Sequence, residues 1–393
     1  MPMNLEPADS DETRCARGGG PPDFTTRSSA PAIWQTTAFD VQSLDQLDAI
    51  AAGREKGYLY TRDGNPNHDA FAADVAALEG AEAGVVCASG MGAFTACLLA
   101  LVGQGDHIVA SRVLYGRTVQ LLNHLQAAFG VRVTFADAAR PEEFARAVTG
   151  ATRLAIVESI SNPLMEVADL PVLAAAMGAV PLVVDNTFAT PCLLKPLEHG
   201  ARLVFHSASK YLNGHGDVML GVAVGESATI RRVKGMASLF GLNSNPFECW
   251  LASRGLRTLP LRMRQVSQTA LDVARALQRH PAVQRVYYPG LDDHSSREIA
   301  GRLLPRGAGG MLAFELAGGR PAVNALFQAL GEIPFSPTLA DARTTVSYPA
   351  GTSHKFMTAS ERQACGIGDG LVRLSVGLEA TADLQQELSR GLG

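Results

Sequence analysis

Residues 206–217 read His206-Ser207-Ala208-Ser209-Lys210-Tyr211-Leu212-Asn213-Gly214-His215-Gly216-Asp217, and they directly follow the apolar run Leu203-Val204-Phe205. The apolar run predicts a strand, and the glycines predict a loop that presents side chains where the strand ends. In α/β enzymes, loops at this edge of a sheet carry the chemistry. Lys210, one of five lysines in the chain, has a serine on each side. An amine that forms a Schiff base needs its pKa lowered by burial or neighbouring positive charge, and arginine cannot take that role.

A carboxylate ends a neighbouring apolar run in the same way. Leu182-Val183-Val184 predicts a buried strand, and Asp185 follows it 25 residues before Lys210. Each residue alone has a simpler explanation, because most lysines are solvated and an aspartate at a strand end often caps a turn. Together, a lysine for a Schiff base and an aspartate for a pyridinium nitrogen predict pyridoxal 5′-phosphate (PLP) as the cofactor. Ser207 and Ser209 are suited to donate hydrogen bonds to its phosphate.

Three motifs in this part of the chain resemble one family of PLP enzymes. They are Asp185-Asn186-Thr187-Phe188-Ala189-Thr190-Pro191, Ser207-Ala208-Ser209-Lys210-Tyr211 and Gly214-His215-Gly216-Asp217. With them the chain resembles the PLP-dependent enzymes of cysteine and methionine metabolism, the trans-sulfuration family. That family includes cystathionine γ-synthase, cystathionine β- and γ-lyases, methionine γ-lyase and the O-acylhomoserine sulfhydrylases. Its motifs run from about Thr36 to Glu379, nearly the whole chain.

The resemblance implies an α/β fold of the PLP-dependent aspartate aminotransferase-like type (fold type I). Residues 1–57 would form an N-terminal tail, mobile to about residue 27, and an intersubunit arm. Residues 58–255 would form a large PLP-binding domain with a mainly parallel, seven-stranded sheet, and residues 256–393 a connecting helix and a smaller C-terminal α/β domain. The alternation of apolar runs and helical patterns favours the parallel sheet independently. We expect a homotetramer in which a dimer is the active unit.

The expected phosphate site combines groups from two subunits. A short apolar run predicts a strand, and Ser89, Gly90 and Met91 follow it at the start of a helix, where backbone N–H groups attract an anion. Glycines that open a helix are also common packing devices. The segment with Tyr60 and Arg62 resembles the family's Tyr-Ser-Arg-x-x-Asn-Pro motif, in which both side chains cross the subunit interface to bind the partner's cofactor phosphate.

The resemblance assigns further roles at the cofactor ring and at the substrate. Tyr115 would stack on the ring and exchange protons with the substrate, and Asn162 would bind the phenolic oxygen of PLP. Thr187, two residues after Asp185, belongs to the same expected cofactor site. Arg373 would hold the substrate's α-carboxylate, a role that suits its planar, two-pronged donor. The expected catalytic residues are Lys210, Asp185 and Tyr115.

Two stretches bear on the reaction. Patterns more similar to the sulfhydrylases than to the lyases occur in Thr338-Leu339-Ala340-Asp341-Ala342-Arg343-Thr344 and in Tyr348-Pro349-Ala350-Gly351-Thr352-Ser353-His354. We therefore expect γ-replacement or γ-elimination on a homoserine-derived or sulfur amino acid, of the O-acyl-L-homoserine sulfhydrylase or cystathionine γ-synthase type. The alternative is a carbon-sulfur lyase that releases an α-keto acid and ammonia. Tyr348 and Gly216 depart from the family, which usually carries histidine and serine there.

Arg117 also departs from a family pattern, because methionine γ-lyases carry a cysteine at this position. Arg117 and Arg343 would face the distal end of the substrate, where a guanidinium favours an anionic or strongly hydrogen-bonding group. Pairing of both arginines with acids such as Asp341 explains them equally well. Asn162 and Thr344 are the remaining expected contacts with the substrate.

Composition argues against several other classes of protein. A net charge of −4 gives no bulk reason to bind nucleic acid or an acidic membrane. The six cysteines form no C-x-x-C pair, so we expect neither a metal site nor a disulfide framework. No long apolar stretch or signal-peptide pattern occurs, which predicts a soluble, cytoplasmic protein.

Two functions outside the PLP class fit less well. A nicotinamide-dependent dehydrogenase would share the α/β alternation, but the chain lacks the glycine fingerprint G-x-G-x-x-G. A catalytically silent binding protein would more readily have lost Lys210, Asp185 or Arg373. The expected partners are an amino-acid substrate, a thiol where the reaction is a replacement, and further copies of the chain.

Overall fold

The computed structural model describes residues 29–355 and 357–393. It contains two units, of which the first, Met1–Ala32, lies almost wholly outside the described residues, as does the predicted tail. The second unit, Ile33–Gly393, carries the helices and strands given below. The predicted division of this unit at residues 255 and 256 stays a prediction.

Strands and helices alternate through the first two thirds of the second unit, as predicted. Pro66 begins a helix that Asn65 caps through its side chain, and Gly80 ends it in the left-handed region at φ 73°. The elements are α1 (Leu44–Ala51), α2 (Pro66–Glu79), β1 (Ala83–Cys87), α3 (Gly90–Leu101), β2 (His107–Ser111), α4 (Gly116–Phe129), β3 (Arg132–Ala136), α5 (Pro141–Ala147), β4 (Thr152–Glu158), α6 (Leu170–Met177), β5 (Leu182–Asp185), α7 (Thr190–Leu193), a 3-10 helix (Pro196–His199), β6 (Ala201–Ser207), β7 (Gly221–Gly225), α8 (Ser227–Leu239) and α9 (Pro246–Leu256).

These strands form one seven-stranded sheet in the order β1-β7-β6-β5-β4-β2-β3. The pairs from β6 to β3 are parallel, and β7 runs antiparallel to both of its neighbours. Alternate residues pack on opposite faces: Val184 and Val204 belong to one apolar cluster, whereas Val183 and Leu203 belong to another. The sheet is therefore buried on both faces, as a mainly parallel sheet requires. The predicted fold class is confirmed.

A second, smaller sheet follows in the last third of the chain. The remaining elements are α10 (Leu259–Gln278), β8 (Val283–Tyr287), α11 (Arg297–Leu303), β9 (Met311–Leu316), α12 (Gly319–Ala329), β10 (Thr345–Ser347), a 3-10 helix (Pro349–Gly351), α13 (Ala359–Ala364), β11 (Leu371–Ser375) and α14 (Thr381–Leu392). The four strands of the smaller sheet are antiparallel in the order β10-β11-β9-β8, and a separate apolar cluster packs against the sheet. Among the described residues, none of the helices has the length and apolar character that a membrane span requires.

Ala340 adopts a strained backbone conformation in the loop before β10. Its φ of 64° lies in the left-handed region, where the Cβ of an L-residue clashes with its own backbone. Its N–H donates to Ser375 Oγ at 2.7 Å, so the conformation is tied to β11. The side chain is buried but is only a methyl group.

Replacing Ala340 by glycine should leave the stability nearly unchanged, although it deletes a buried methyl group. Relief of about 1–2 kcal/mol of left-handed strain offsets about 0.5–1 kcal/mol of added chain entropy in the unfolded state and about 0.8 kcal/mol of lost apolar burial. We expect the free energy of unfolding of A340G, measured by urea denaturation, to lie within about 0.5 kcal/mol of the wild-type value. The matched control A325G, at an exposed position inside α12, should lose about 1 kcal/mol. A loss of about 1.5 kcal/mol or more in A340G would contradict the strain argument.

His68 is a buried histidine in α2, with 5% of its surface exposed. Burial lowers its pKa to about 4, because a charged imidazole would lose its hydration there. Below pH 6.5 the unfolded chain therefore binds a proton that the folded protein rejects. Folding stability should fall as the pH drops from about 6.5 towards 4.

The substitution H68Q should remove part of this pH dependence. Between pH 7.5 and pH 5, the wild-type protein should lose about 2 kcal/mol of unfolding free energy through His68, and H68Q should lose that much less. Urea denaturation at the two pH values measures the difference. H124Q, at an exposed histidine in α4, controls for removal of a histidine. Equal losses in wild type and H68Q would refute the prediction.

Candidate functional site

Three neighbouring parallel strands end in polar residues at the same edge of the large sheet. Glu158 ends β4, Asp185 ends β5 and Ser207 ends β6. In the sheet register Glu158 pairs with Asp185, and Asp185 pairs with Phe205. The carboxyl edge of a parallel sheet is where α/β proteins bind ligands. The parallel register thus collects chemical groups that are up to 49 residues apart in sequence.

A cavity of about 610 Å³ opens at this edge, a volume within the range of small-molecule sites. It is bounded by strand ends of the large sheet, by the start of α4, and by Arg373 from the smaller sheet. Most predicted site residues therefore converge on one cavity. Those that line it are Ser89, Gly90, Met91, Tyr115, Arg117, Asn162, Asp185, Thr187, Ser207, Ser209, Lys210 and Arg373.

Lys210 lies in the cavity wall, in the loop after β6. Burial lowers the pKa of its amine, and the nearby Arg373 guanidinium lowers it further. The backbone N–H of Lys210 donates to the Ser207 carbonyl at 3.1 Å, and the Gly214 N–H donates to the Lys210 carbonyl at 2.7 Å. A lowered pKa and a fixed backbone are the properties that a nucleophilic amine needs.

Arg262 on α10 holds the residues that follow Lys210. It is only 6% exposed, and its guanidinium donates to the carbonyls of Tyr211 (2.7 Å), Leu212 (3.4 Å) and Gly255 (2.8 Å). A Cβ on Gly214 would lie 2.0 Å from Arg262 Nη1, so only glycine fits beside it. The arginine-rich sequence around α10 gave no sign of this contact, because partners about 50 residues away are invisible to local pattern.

Asp185 and Thr187 are half-buried in the cavity wall, where Thr187 orients the carboxylate. Its Oδ1 accepts the Thr187 N–H at 2.9 Å and the Thr187 hydroxyl at 2.5 Å, and Thr187 Oγ1 in turn accepts the Ser207 N–H at 2.9 Å. Burial raises the pKa of Asp185, whereas the two bonds from Thr187 and the charge of His206 oppose that rise. The arrangement holds a carboxylate ready for a cationic partner in the cavity.

The strand β1, a tight turn and the start of α3 build a cradle for an anion. Ser89 caps α3 by accepting the Gly92 N–H at 3.0 Å. A Cβ on Gly90 would lie 2.7 Å from Ser207 Cβ, and one on Gly221 would lie 2.0 Å from the Ser89 carbonyl oxygen. Both glycines are therefore needed for this close packing, which brings a helix N-terminus next to Ser207.

Arg373 carries a positive charge into the cavity, and no acidic side chain of the described residues forms an ion pair with it. It is 3% exposed; Nη1 donates to Asn162 Oδ1 at 3.1 Å and Nη2 to the Thr338 carbonyl at 3.4 Å, while Nε has no partner among the described residues. Burial lowers its pKa to about 10. A buried guanidinium held by neutral acceptors is suited to bind a carboxylate from a ligand.

Glu158 is a site residue that the sequence analysis did not identify. It is buried and lines the cavity beside Asp185. Its Oε1 accepts the Tyr115 N–H at 2.5 Å, and its Oε2 accepts the Asn162 N–H at 3.2 Å. The available signal was the same one that singled out Asp185: a carboxylate at the end of an apolar run.

Four predicted residues do not line this cavity. Tyr60 and Arg62 lie on the chain surface, where the Arg62 guanidinium stacks 5.1 Å from the Tyr60 ring; their role across a subunit interface stays a prediction. Thr344 is buried, donates to Glu379 at 2.7 Å and accepts from the Gly377 N–H at 2.8 Å; its role as a substrate contact stays a prediction. Arg343 is also outside and donates to the Glu332 carbonyl at 2.6 Å.

The cavity fits PLP by the chemistry of its donors. It offers an amine of lowered pKa for the aldehyde (Lys210), a half-buried carboxylate for the ring nitrogen (Asp185), and backbone and hydroxyl donors for the phosphate (Gly90 and Ser207). The unpartnered Nε of Arg373 leaves a cationic donor for an amino-acid carboxylate.

Comparisons with known proteins agree with this chemistry. The family model described as Cys/Met metabolism PLP-dependent enzyme matches residues 12–393. The chain is 42% identical to the L-methionine gamma-lyase of Porphyromonas gingivalis (92% of each chain covered) and 39% identical to the O-succinylhomoserine sulfhydrylase of Pseudomonas aeruginosa (92% and 90% covered). A Campylobacter jejuni structure that contains N′-pyridoxyl-lysine-5′-monophosphate is similar with a TM-score of 0.89 at 28% identity, covering 95% of this chain and 98% of that one.

The predicted family, fold class and cofactor are confirmed by these matches. The site contains a lysine and an aspartate in one cavity wall, and the family model matches nearly the whole chain. The chain therefore belongs to the PLP-dependent enzymes of cysteine and methionine metabolism.

Proposed function

We propose that this enzyme catalyses γ-replacement on an O-acyl-L-homoserine whose acyl group ends in a carboxylate, as in O-succinyl-L-homoserine. The observation that carries the proposal is that two cationic side chains, Arg117 and Lys355, line the cavity in addition to Lys210 and Arg373. Arg373 suffices for the substrate's α-carboxylate, so two further cations favour a substrate with a second anionic group. The neutral side chain of methionine offers no such group.

Arg117 and Lys355 enter the cavity from adjoining segments. Arg117 lies in the first turn of α4, and its Nη1 donates to Gln120 at 2.9 Å. The neighbouring Gly116 packs so closely on the next segment that a Cβ there would lie 2.3 Å from the Ser353 carbonyl oxygen, two residues before Lys355. This packing supports joint recognition of one distal carboxylate by both side chains.

The other residues supply the remaining chemistry. Bound PLP acts as an electron sink for negative charge that develops at the substrate. In the proposed reaction, Arg373 holds the α-carboxylate, Asp185 keeps the ring nitrogen protonated, and the amine of Lys210 moves protons at Cα and Cβ. The Tyr115 hydroxyl protonates the leaving γ-oxygen. The lowered pKa of Lys210 supports its role, because a neutral amine is needed to accept a proton.

A carbon-sulfur lyase is the second candidate, and a relative's name favours it. The Porphyromonas gingivalis protein, 42% identical over 368 residues, is named L-methionine gamma-lyase. The two reactions differ in their product: a replacement needs a thiol and retains the amino acid, whereas an elimination releases an α-keto acid and ammonia without a thiol.

Product analysis of the holoenzyme separates the candidates. O-succinylhomoserine, O-acetylhomoserine and methionine would each be supplied with and without sulfide or cysteine. We expect homocysteine or cystathionine from O-succinylhomoserine only when the thiol is present, with kcat/KM about tenfold above that for the acetyl ester, a difference of 1.4 kcal/mol. Methionine as the best substrate, with α-keto acid formed in the absence of thiol, would refute the replacement assignment.

Replacing Arg117 by alanine tests the distal cation directly. We expect KM for O-succinylhomoserine to rise about tenfold while KM for O-acetylhomoserine stays within twofold, because only the succinyl ester loses a charge-assisted contact. K355A should act in the same direction. R343A, at an exposed arginine outside the cavity, is the matched control. An unchanged KM for the succinyl ester in R117A would remove the argument.

A further inference from the structure

Glu158 joins two segments that flank the cavity. One carboxylate oxygen accepts the N–H of Tyr115, the residue that precedes α4, and the other accepts the N–H of Asn162, in the turn after β4. These segments are 47 residues apart in sequence, and Glu158 is the acid that bonds to both. A side chain with two acceptor oxygens is required for this bridge, since each backbone N–H needs its own acceptor.

The bridge continues to the residue that would bind the substrate's carboxylate. Asn162 accepts from Arg373 Nη1 through its side chain at 3.1 Å, while its backbone N–H donates to Glu158. Tyr115, Glu158, Asn162 and Arg373 thus form one hydrogen-bonded chain along the cavity. A change in Glu158 can reach both ends of that chain without contact with the substrate.

Burial and a neighbouring carboxylate make Glu158 unfavourable for the stability of the fold. It is 8% exposed and pairs in the sheet register with Asp185, so two carboxylates lie side by side at the ends of adjacent strands. Burial and the charge of Asp185 raise its pKa, and the two N–H bonds oppose that rise. A buried acid beside a second acid costs stability, and here the two backbone N–H bonds offset part of that cost.

We propose that Glu158 is a positioning residue that clamps the backbone of Tyr115 to that of Asn162 and so preorganises the PLP site. The inference rests on the proposed contacts of Tyr115 and Asn162 with the cofactor. It is independent of which γ-substituted amino acid the enzyme uses.

Hydrogen exchange in the apoenzyme tests the clamp without the cofactor. The isosteric variant E158Q keeps the shape but turns an N–H donor towards one of the two backbone N–H groups. Mass spectrometry should show faster exchange in peptides covering residues 111–118 and 159–165, by about tenfold, than in the wild type. The matched control E166Q changes an acid that makes no contact with either backbone N–H, and should leave both peptides unchanged. Unchanged exchange in E158Q would overturn the clamp.

The dissociation constant of PLP tests the consequence. Measured by reconstitution of the apoenzyme, it should rise in the order wild type, E158Q, E158A, by about tenfold for E158Q, because E158Q retains one acceptor and E158A none. In a Y115A background the effect of E158Q should shrink, since the side chain that the clamp positions has been removed while the backbone N–H remains.

A merely structural role predicts a different pattern. Lower thermal stability with an unchanged dissociation constant for PLP well below the unfolding temperature would overturn the positioning role, as would full additivity of E158Q and Y115A. If E158A fails to fold, E158Q alone decides the outcome by the same two measurements. Failure of the O-succinylhomoserine assignment would leave both measurements unaffected, so the two proposals fail separately.

Discussion

The parallel pairing of β4, β5 and β6 is the constraint on which the site depends. It sets Glu158 beside Asp185 and aligns Asp185 with Phe205, so that three strand ends open onto one cavity. Side chains alternate between the faces of a sheet, and a slip of one residue would turn Asp185 to the opposite face. The valines and leucines that alternate between two apolar clusters oppose such a slip, because each would exchange one buried face for the other. The same strand register is therefore required for core packing and for the geometry of the site.

A second requirement is that isolated buried cations be held in place by neutral groups. Arg262 is satisfied by backbone carbonyls, and Arg373 by an amide oxygen and a carbonyl. Carbonyl dipoles satisfy the donors without neutralising the charge, which leaves the positive potential available inside the cavity. Burial, and then the charge of Arg373, lowers the pKa of Lys210. The same positive charge suits a cofactor and a substrate that both carry negative charge. The fold thus places positive charge in the cavity, where it complements the negative charge of the ligands.

The two acids of the site, Asp185 and Glu158, are also held by neutral groups, here hydrogen-bond donors. The Thr187 hydroxyl donates to the Asp185 carboxylate and accepts from the Ser207 N–H. Thr187 therefore links the carboxylate to the cradle for an anion beside Ser207. Glu158 receives two backbone N–H groups, which ties the start of α4 to the turn after β4. Fixed donors around a buried carboxylate reduce the reorganisation needed when charge develops nearby. The hydrogen bonds thus fix the orientation of both carboxylates in the site.

The sequence alone determined those features in which chemistry and local pattern coincide. Lys210 between two serines after an apolar run, Asp185 at a strand end, and the alternation of strands and helices were enough to predict the cofactor and a mainly parallel α/β sheet. The resemblance to a family supplied the aspartate aminotransferase-like fold type. Only the tertiary structure decided which residues share the cavity. It showed that Glu158 and Lys355 line the cavity and that Thr344 and Arg343 do not. It also showed that the buried Arg262 supports the segment after Lys210. The physical reason is that strand register and contacts across 50 or more residues are set by the packing of the whole chain, and local sequence carries no record of them.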